Sequence, residues 1–286
     1  MAIDYEKLLN REFRDVEEDY SVRDTMLYAL GIGIGHDPVD PQQLDFVYEK
    51  ALKAMPSMAS VLGYIGFWAQ EPDTGIDWVK VVAGEQGVTL HKPLPPEGRV
   101  VGKLRITGIV DKGEGRGALV YSDREVYDRD SGDHLATVSQ TMFARGNGGF
   151  GGPEGPVKPT HRLPETEPEA TCDLPTAPNQ ALIYRLSGDY NPLHADPAVA
   201  GKAGFERPIL HGLCTFGVAC HAVLKTYCGY APEKLKSLDC RYSAPVYPGE
   251  TVRTEMWRAG ETVSFRARVV ERDVVALNNG KATLAA

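Results

Sequence analysis

Residues 242–261, YSAPVYPGETVRTEMWRAGE, repeat the plan of residues 90–110, LHKPLPPEGRVVGKLRITGIV. Aligning the two sets Pro93 over Pro245 and Pro96 over Pro248, and an alternation of apolar and polar residues follows each pair. That alternation is the period of a half-buried strand. GALVYSDREVYD (117–128) and ATVSQTMFAR (136–145) continue it in the first half, VSFRARVVER (263–272) and DVVALNNGKATLA (273–285) in the second. RDSGD (129–133) and NNGK (278–281) carry the Asp/Asn-Gly chemistry of hairpins and predict the turns between these strands. The offset between the halves stays near 150 residues, which marks a duplicated unit.

Upstream of the strands each half opens with a helical segment. In SVRDTMLYALGIG (21–33) Ser21 and Asp24 form a capping box. In TAPNQALIYRLSGD (176–189) Thr176 is the expected cap, with Pro178 in the first turn and Leu182, Ile183 and Leu186 on one face. Both are expected to stop at glycines, Gly31 and Gly188, in left-handed C-caps. A long helix is then predicted in each half, over DPQQLDFVYEKALKAM (40–55) and HGLCTFGVACHAVLKTY (211–227). The second is apolar on more than one face, which suits a helix buried against a curved sheet. The class is α+β. Residues 1–150 read as one half and 171–286 as the other. Between them, 151–170 is a linker rich in Gly and Pro, part of a biased stretch starting at residue 146.

The chain has 286 residues, 42% hydrophobic and 24% charged, enough apolar material for a sizeable core. A net charge of -8 argues against nucleic acid as the main partner, since that would need a basic face. The charged N-terminus lacks an apolar signal region, and no apolar run is long enough to span a membrane. Five cysteines without CxxC spacing read as reduced thiols, and the C-terminal TLAA is not a peroxisomal address. A cytoplasmic location is the expectation.

The halves diverge at one place. The second reads YRLSGDYNPLHADP (184–197) where the first reads YALGIGIGHDPVDP (28–41). Tyr28 and Leu30 match Tyr184 and Leu186, but Gly33 stands in place of Asp189, and no histidine falls at the place of His194. Taken singly, Asp189 and Asn191 fit an Asx turn and His194 fits a packed or solvent-facing histidine. A trio present in one copy and absent from the other is the pattern of an active site used once per pair.

YRLSGDYNPLH, with Gly188, Asp189, Asn191, Pro192 and His194, resembles the signature of the MaoC-like, or hydratase 2, family of enoyl-CoA hydratases. RPILHGLCTFG (207–217) resembles the segment opening that family's central helix, and the duplication resembles its double-hot-dog members, an antiparallel sheet wrapped around a long helix in each half. The resemblance implies reversible hydration of trans-2-enoyl-CoA to (R)-3-hydroxyacyl-CoA. Asp189 and His194 would be the catalytic dyad on one water, Asn191 would orient water or dyad, and the Gly212 N–H would be the donor to the enolate oxygen. The first half, without a dyad, would complete the acyl pocket and leave room for longer or branched acyl groups.

His211 is a candidate to line the site, with helix capping or packing equally open. Lys202, Arg207, Arg241 and Lys225 are candidates for the CoA phosphates, against a solvated surface role for each. No metal is expected, since His194, His211 and His221 lack ligand spacing, and no cofactor beyond the CoA carried by the substrate. The glycine-rich stretches GIGIG and GNGGFGG read as a cap and a linker, and Cys214 as packing. Rival readings are a dehydratase of a branched or dicarboxylic 3-hydroxyacyl-CoA, a hot-dog thioesterase and a non-catalytic acyl-CoA-binding module. The thioesterase would want a carboxylate on the central helix, which has none. The expected partner is an acyl-CoA thioester, with neither nucleic acid nor membrane. A homodimer of the whole chain is an assembly such units allow.

Overall fold

The computed structural model describes residues 2–285. Chain order runs α1 (Tyr5–Leu9), β1 (Val16–Tyr20), α2 (Val22–Gly31), α3 (Pro41–Val47), β2 (Val81–Leu90), β3 (Gly98–Asp111), β4 (Ala118–Asp128) and β5 (His134–Ala144). The second half follows as β6 (Ala170–Pro175), α4 (Gln180–Tyr184), α5 (Pro197–Lys202), α6 (Gly212–Val223), β7 (Leu235–Tyr242), β8 (Thr251–Ala259), β9 (Thr262–Val269) and β10 (Val274–Leu284). The strands form one ten-stranded antiparallel sheet in the order β1-β3-β4-β5-β2-β7-β10-β9-β8-β6. Read outward from the middle, the two sides carry equivalent strands, so the duplication in sequence becomes a two-fold arrangement in space. The halves join where Glu85–Thr89 of β2 pair with Ser237–Arg241 of β7. This is the double hot-dog arrangement.

α6 is the helix that the sheet wraps. Every residue from Cys214 to Val223 is buried, and the helix packs against β2 of the first half as well as β6, β7, β8 and β10. Burying a large side chain such as Phe216 stabilises the fold by about 1.5–3 kcal/mol, so the helix anchors both half-sheets to one core. It continues beyond Val223 in a π-helical turn, Leu224–Cys228, closed by Gly229 in the left-handed region.

The first half departs from its twin here. The helix predicted over 40–55 is capped by Asp40 with Pro41 at its first position, but it ends at Val47. A short 3-10 turn follows at Glu49–Ala51, and a second, Pro56–Ser60, lies against β2, β5 and α6. Tyr48 turns extended where the helix stops, and Pro56 has no N–H with which to continue a helix. One long helix therefore serves both half-sheets.

Three further expectations are corrected. Thr176 does not cap α4, because its hydroxyl donates to the Glu250 carbonyl at 2.7 Å, and Asn179 holds the cap position. α2 reaches Gly31 in helical conformation and the left-handed residue is Gly33, whereas Gly188 does adopt φ +113. NNGK is not a turn but lies inside β10, where the register with β9 and β7 shifts around Asn279 (φ 53) and Gly280. The β9–β10 turn falls instead at residues 270–273, with Asp273 at φ 52. A left-handed Asn before Gly serves a bulge as well as a turn.

No helix or strand forms between Ala144 and Ala170. Part of GNGGFGG nonetheless wraps a buried carboxylate: Asp111 accepts amide N–H bonds from Gly113 (2.8 Å), Gly149 (2.7 Å) and Gly151 (2.9 Å). The remaining segment crosses the second half-sheet, where Trp257 Nε1 donates to Thr166 and Glu167 carbonyls and Asn279 to that of His161.

Candidate active site

The site is assembled where α4 hands over to the loop before α6. α4 continues as a 3-10 turn, Arg185–Ser187, and Gly188 reverses the chain so that Asp189 leaves it at an angle. The Asp189 carboxylate accepts the Asn191 N–H at 3.1 Å, and the Asn191 side chain accepts the Leu193 N–H at 3.0 Å. Two successive Asx bonds thus start the Pro192–His194 turn, which the fixed φ of Pro192 pre-shapes. Asn191 is exposed and its oxygen is committed to this cap, so its geometry serves to place His194.

His194 is buried, and its Nδ1–H donates to the Ile209 carbonyl at 2.9 Å. A carbonyl can only accept, so the proton sits on Nδ1 and the Nε2 lone pair remains to receive one. Burial holds the imidazole below its ordinary pKa, opposed by the Ile209 bond and the Asp189 charge. His211, at the cap position of α6, stacks on His194 with ring centroids 3.7 Å apart, and its Nε2–H donates to the Asp189 backbone carbonyl at 3.1 Å. Burial, with the neighbouring His194, pushes His211 down to about 4, so it too is neutral. Ring atoms of both histidines and the Asp189 carboxylate lie within 4.8 Å of one another.

That cluster has the composition of a cation site, so sequence spacing does not exclude His211 as a ligand: folding carries it 22 positions back against Asp189. Each histidine has one nitrogen committed to a backbone carbonyl, leaving one nitrogen apiece and the carboxylate as ligand atoms. His221 belongs elsewhere, bonded to the Tyr230 hydroxyl at 3.0 Å within the core.

Gly212 is the first residue of α6, where backbone N–H groups lack helical partners and the dipole favours negative charge. A Cβ there would meet the Tyr242 ring at 3.0 Å, so only glycine lets ring and helix start approach this closely. Beside His194 a cavity of about 160 Å³ is lined by Pro178, Leu182, Arg207, Pro208 and Pro248.

Among the candidate cations, Arg207 is the one that lines this cavity, its exposed guanidinium 5.1 Å from the centroid of the Tyr247 ring. Lys202 ends α5 in solvent and does not line it. Arg241 is on the outer face of the sheet, paired with Glu85 at 3.4 Å, because strand alternation turns its neighbour Tyr242 inward. Lys225 lies in the π turn, 13 residues along the helix from Gly212 and so roughly 20 Å from it.

Three tyrosines outside the candidate residues also stand near the site. Tyr184 packs its ring 5.0 Å from His211, and Tyr242 abuts Gly212. Tyr64 comes from the first half: burial and the Asp189 charge raise its pKa, and the Arg124 guanidinium lies 5.4 Å from its ring. The match of Tyr28 to Tyr184 was a usable signal for the second-half tyrosine. Tyr64 sits in a loop with no such counterpart.

Residues 159–279 match the MaoC like domain and residues 19–146 the MFE-2 hydratase 2 N-terminal domain. The chain belongs to the MaoC-like hydratase 2 family. It is 37% identical to the Arabidopsis thaliana protein named peroxisomal enoyl-CoA hydratase 2, over 94% of this chain and 92% of that one. It is 37% identical to the Mus musculus peroxisomal multifunctional enzyme type 2, covering 91% of this chain but 36% of the longer mouse protein. The crystal structure of a MaoC-like dehydratase from Phytophthora capsici superposes with a TM-score of 0.86, at 33% identity and 98% coverage of both chains. As a member of the MaoC-like hydratase 2 family the protein is a hydro-lyase. Among the described residues no helix is long and apolar enough to cross a membrane.

Proposed function

We propose that this hydro-lyase adds water reversibly to a trans-2-enoyl-CoA, giving the (R)-3-hydroxyacyl-CoA, with Asp189 and His194 acting on a single water. The observation that carries the reading is the pairing of a half-buried carboxylate with a neutral imidazole whose bare Nε2 is fixed by the Ile209 bond. Water held between the two loses a proton as its oxygen bonds C3. The C2–C3 π electrons move toward the thioester, whose oxygen takes up negative charge facing the Gly212 N–H at the α6 N-terminus. The proton taken by the dyad is returned to C2, so atoms and charge balance. One water supplies both groups from one side of the alkene, which makes the addition syn. Dehydration is the same path reversed. His211 and Asn191 act as positioning residues, one clasping the Asp189 backbone and stacking on His194, the other capping the turn.

The acyl-CoA enters in this reading through the cavity beside His194, with Arg207 at its rim for a phosphate. The first half supplies the far wall of the acyl pocket. No Lewis acid is needed, because the thioester already polarises the alkene, and the histidine–carboxylate cluster works as an acid–base group. The five buried thiols suit a reducing compartment, and we place the protein in the cytoplasm, although both relatives cited carry peroxisomal names.

The test follows the loss of conjugated enoyl-thioester absorbance with crotonyl-CoA and a medium-chain trans-2-enoyl-CoA. Asp189→Asn and His194→Gln are each expected to lower kcat by about 10²–10⁴-fold. Prior dialysis against a chelator is expected to leave the native rate unchanged. A native rate abolished by the chelator and restored by one divalent metal would overturn the metal-free reading, and full activity in either variant would overturn the dyad.

A further inference from the structure

The cluster of Asp189, His194 and His211 holds a donor atom that the proposed hydration leaves idle. His211 is 1% exposed, and its Nδ1 is buried with no hydrogen-bond partner. Its Nε2–H is committed to the Asp189 carbonyl, so the proton is on that side of the ring and Nδ1 keeps a bare lone pair. Buried polar atoms in native proteins are almost always paired, and an orphan costs about 1–3 kcal/mol. His194 repeats the arrangement: its Nδ1–H is spent on the Ile209 carbonyl and its Nε2 is bare. The Asp189 carboxylate only accepts, and the bond it takes from the Asn191 N–H engages one of its two oxygens. Ligand atoms of the three residues lie within 4.8 Å of one another, and the two rings are stacked 3.7 Å apart. Acceptors gathered this way repel one another, and a single cation answers all three.

From these observations we propose that Asp189, His194 and His211 bind one divalent transition-metal ion, Zn²⁺ or Co²⁺, and that the ion inhibits the enzyme by displacing the water used in hydration. The site stands independently of the hydratase reading, and the inhibition rests on it. Two imidazole nitrogens and one carboxylate are the donor set of open zinc sites, whereas Mg²⁺ and Ca²⁺ favour oxygen ligands. Zinc bonds of about 2.0–2.2 Å put the ligand atoms of a tetrahedral ion roughly 3.4 Å apart, so the trio has to draw in by no more than about 1.4 Å. Asp189 is half-buried, and a Cβ at the preceding Gly188 would meet nothing within 4 Å, so the loop that carries the carboxylate has space to move.

The cavity beside His194 gives the ion its way in, and three protein ligands leave a fourth position to water. Once bound, the ion occupies the His194 Nε2 lone pair and a carboxylate oxygen, the two groups that take the proton in the proposed hydration, so the reaction stops. Two other sets of donors compete for the same metals. The five cysteines are free thiols, all of them buried. The exposed His91, just beyond β2, stacks 4.1 Å from His134 and offers a pair of imidazoles at the surface.

Calorimetric titration of the full chain with ZnCl₂ is expected to show one tight ion per chain, with MgCl₂ giving no binding heat under the same conditions. Asp189→Asn keeps the Asx bond to Asn191 and removes the anionic ligand, and His211→Gln removes the orphan nitrogen. Each should weaken Zn²⁺ by at least about tenfold, and His91→Gln should leave the tight site unchanged. Thermal melts show which variants are folded, and Asp189→Asn decides if His211→Gln is not. Titration with CoCl₂ reads the donors directly: d–d bands without a thiolate charge-transfer band are the expected spectrum, and thiolate ligation overturns the site. So does an absence of Zn²⁺ binding, or binding undiminished in every folded cluster variant. Crotonyl-CoA hydration by the native protein should fall in step with occupancy and return when a chelator is added. A filled site with undiminished hydration overturns the inhibition and keeps the site. Absence of hydration before any metal is added removes the hydratase reading and the inhibition with it, and the titrations still decide the site.

Discussion

Replacing Gly212 by alanine separates catalysis from stability at one atom. The new Cβ would stand 3.0, 3.3 and 3.4 Å from Cε1, Cζ and Cδ1 of Tyr242, and ring carbons that close must part by a few tenths of an ångström. Tyr242 is packed on the inner face of the sheet at the end of β7, so the first turn of α6 moves with it. Two energies oppose each other in stability. Alanine is about 1 kcal/mol better than glycine in a helix, while overpacking costs about 1–3 kcal/mol. The net change should stay within about 2 kcal/mol, and Tm should shift by only a few degrees. Rate responds differently in the proposed mechanism, where the Gly212 N–H points at the developing enolate oxygen. Losing such a donor costs about 10²–10³-fold, and a partial displacement roughly 10–100-fold. The enoyl-thioester absorbance assay with crotonyl-CoA should therefore give a kcat down by that partial factor, with KM little changed and a near-native melt. A second substitution, Tyr242→Leu, should restore part of the rate by making room. A Gly212→Ala protein with native kcat would refute the assignment of that N–H to the enolate.

Two further outcomes follow from buried polar groups. His194, His211 and His221 are held neutral by burial, the last two down to about 4, so the unfolded chain takes up protons first as pH falls below about 6.5; stability should drop between that value and about pH 4, on the order of 3 kcal/mol for His221 alone, and thermal melts of His221→Leu at pH 7 and pH 5 should give a smaller pH dependence than the native protein. Asp111→Asn keeps the shape but replaces one accepting oxygen by a donor facing glycine amides, at a cost of about 1–3 kcal/mol in urea unfolding; an unchanged midpoint would mean that the glycine nest does not depend on the carboxylate.

The legible parts of this protein are those in which local chemistry decides alone. The capping box of Ser21 and Asp24, the Asp40–Pro41 start of α3 and the strand alternation after the Pro pairs all appear where the sequence places them. The Asp189–His194 neighbourhood was equally readable, since the two residues are five apart and joined by two Asx bonds and a proline. Misread positions are those where a distant partner outbids a local signal. Thr176 has the chemistry of a helix cap but meets the Glu250 carbonyl first. Asn279 and Gly280 have the chemistry of a turn but are spent on a bulge against Phe265, whose carbonyl would lie 2.5 Å from a Cβ at Gly280.

The sequence by itself therefore determined the duplication, the α+β class and the placing of Asp189 beside His194, because periodicity, capping and a short motif are properties of neighbouring residues. Tertiary structure decided everything that needed contact across the two halves. It withheld the second long helix, since α6 already fills the space both half-sheets enclose, and set the Pro56–Ser60 turn there instead. It brought His211 against Asp189, kept Arg241 on the wrong face of the sheet for the site and packed Tyr28 against Tyr184. The physical reason is common to all four: which face a strand turns inward, and what a buried helix leaves room for, are set by close packing of the whole core.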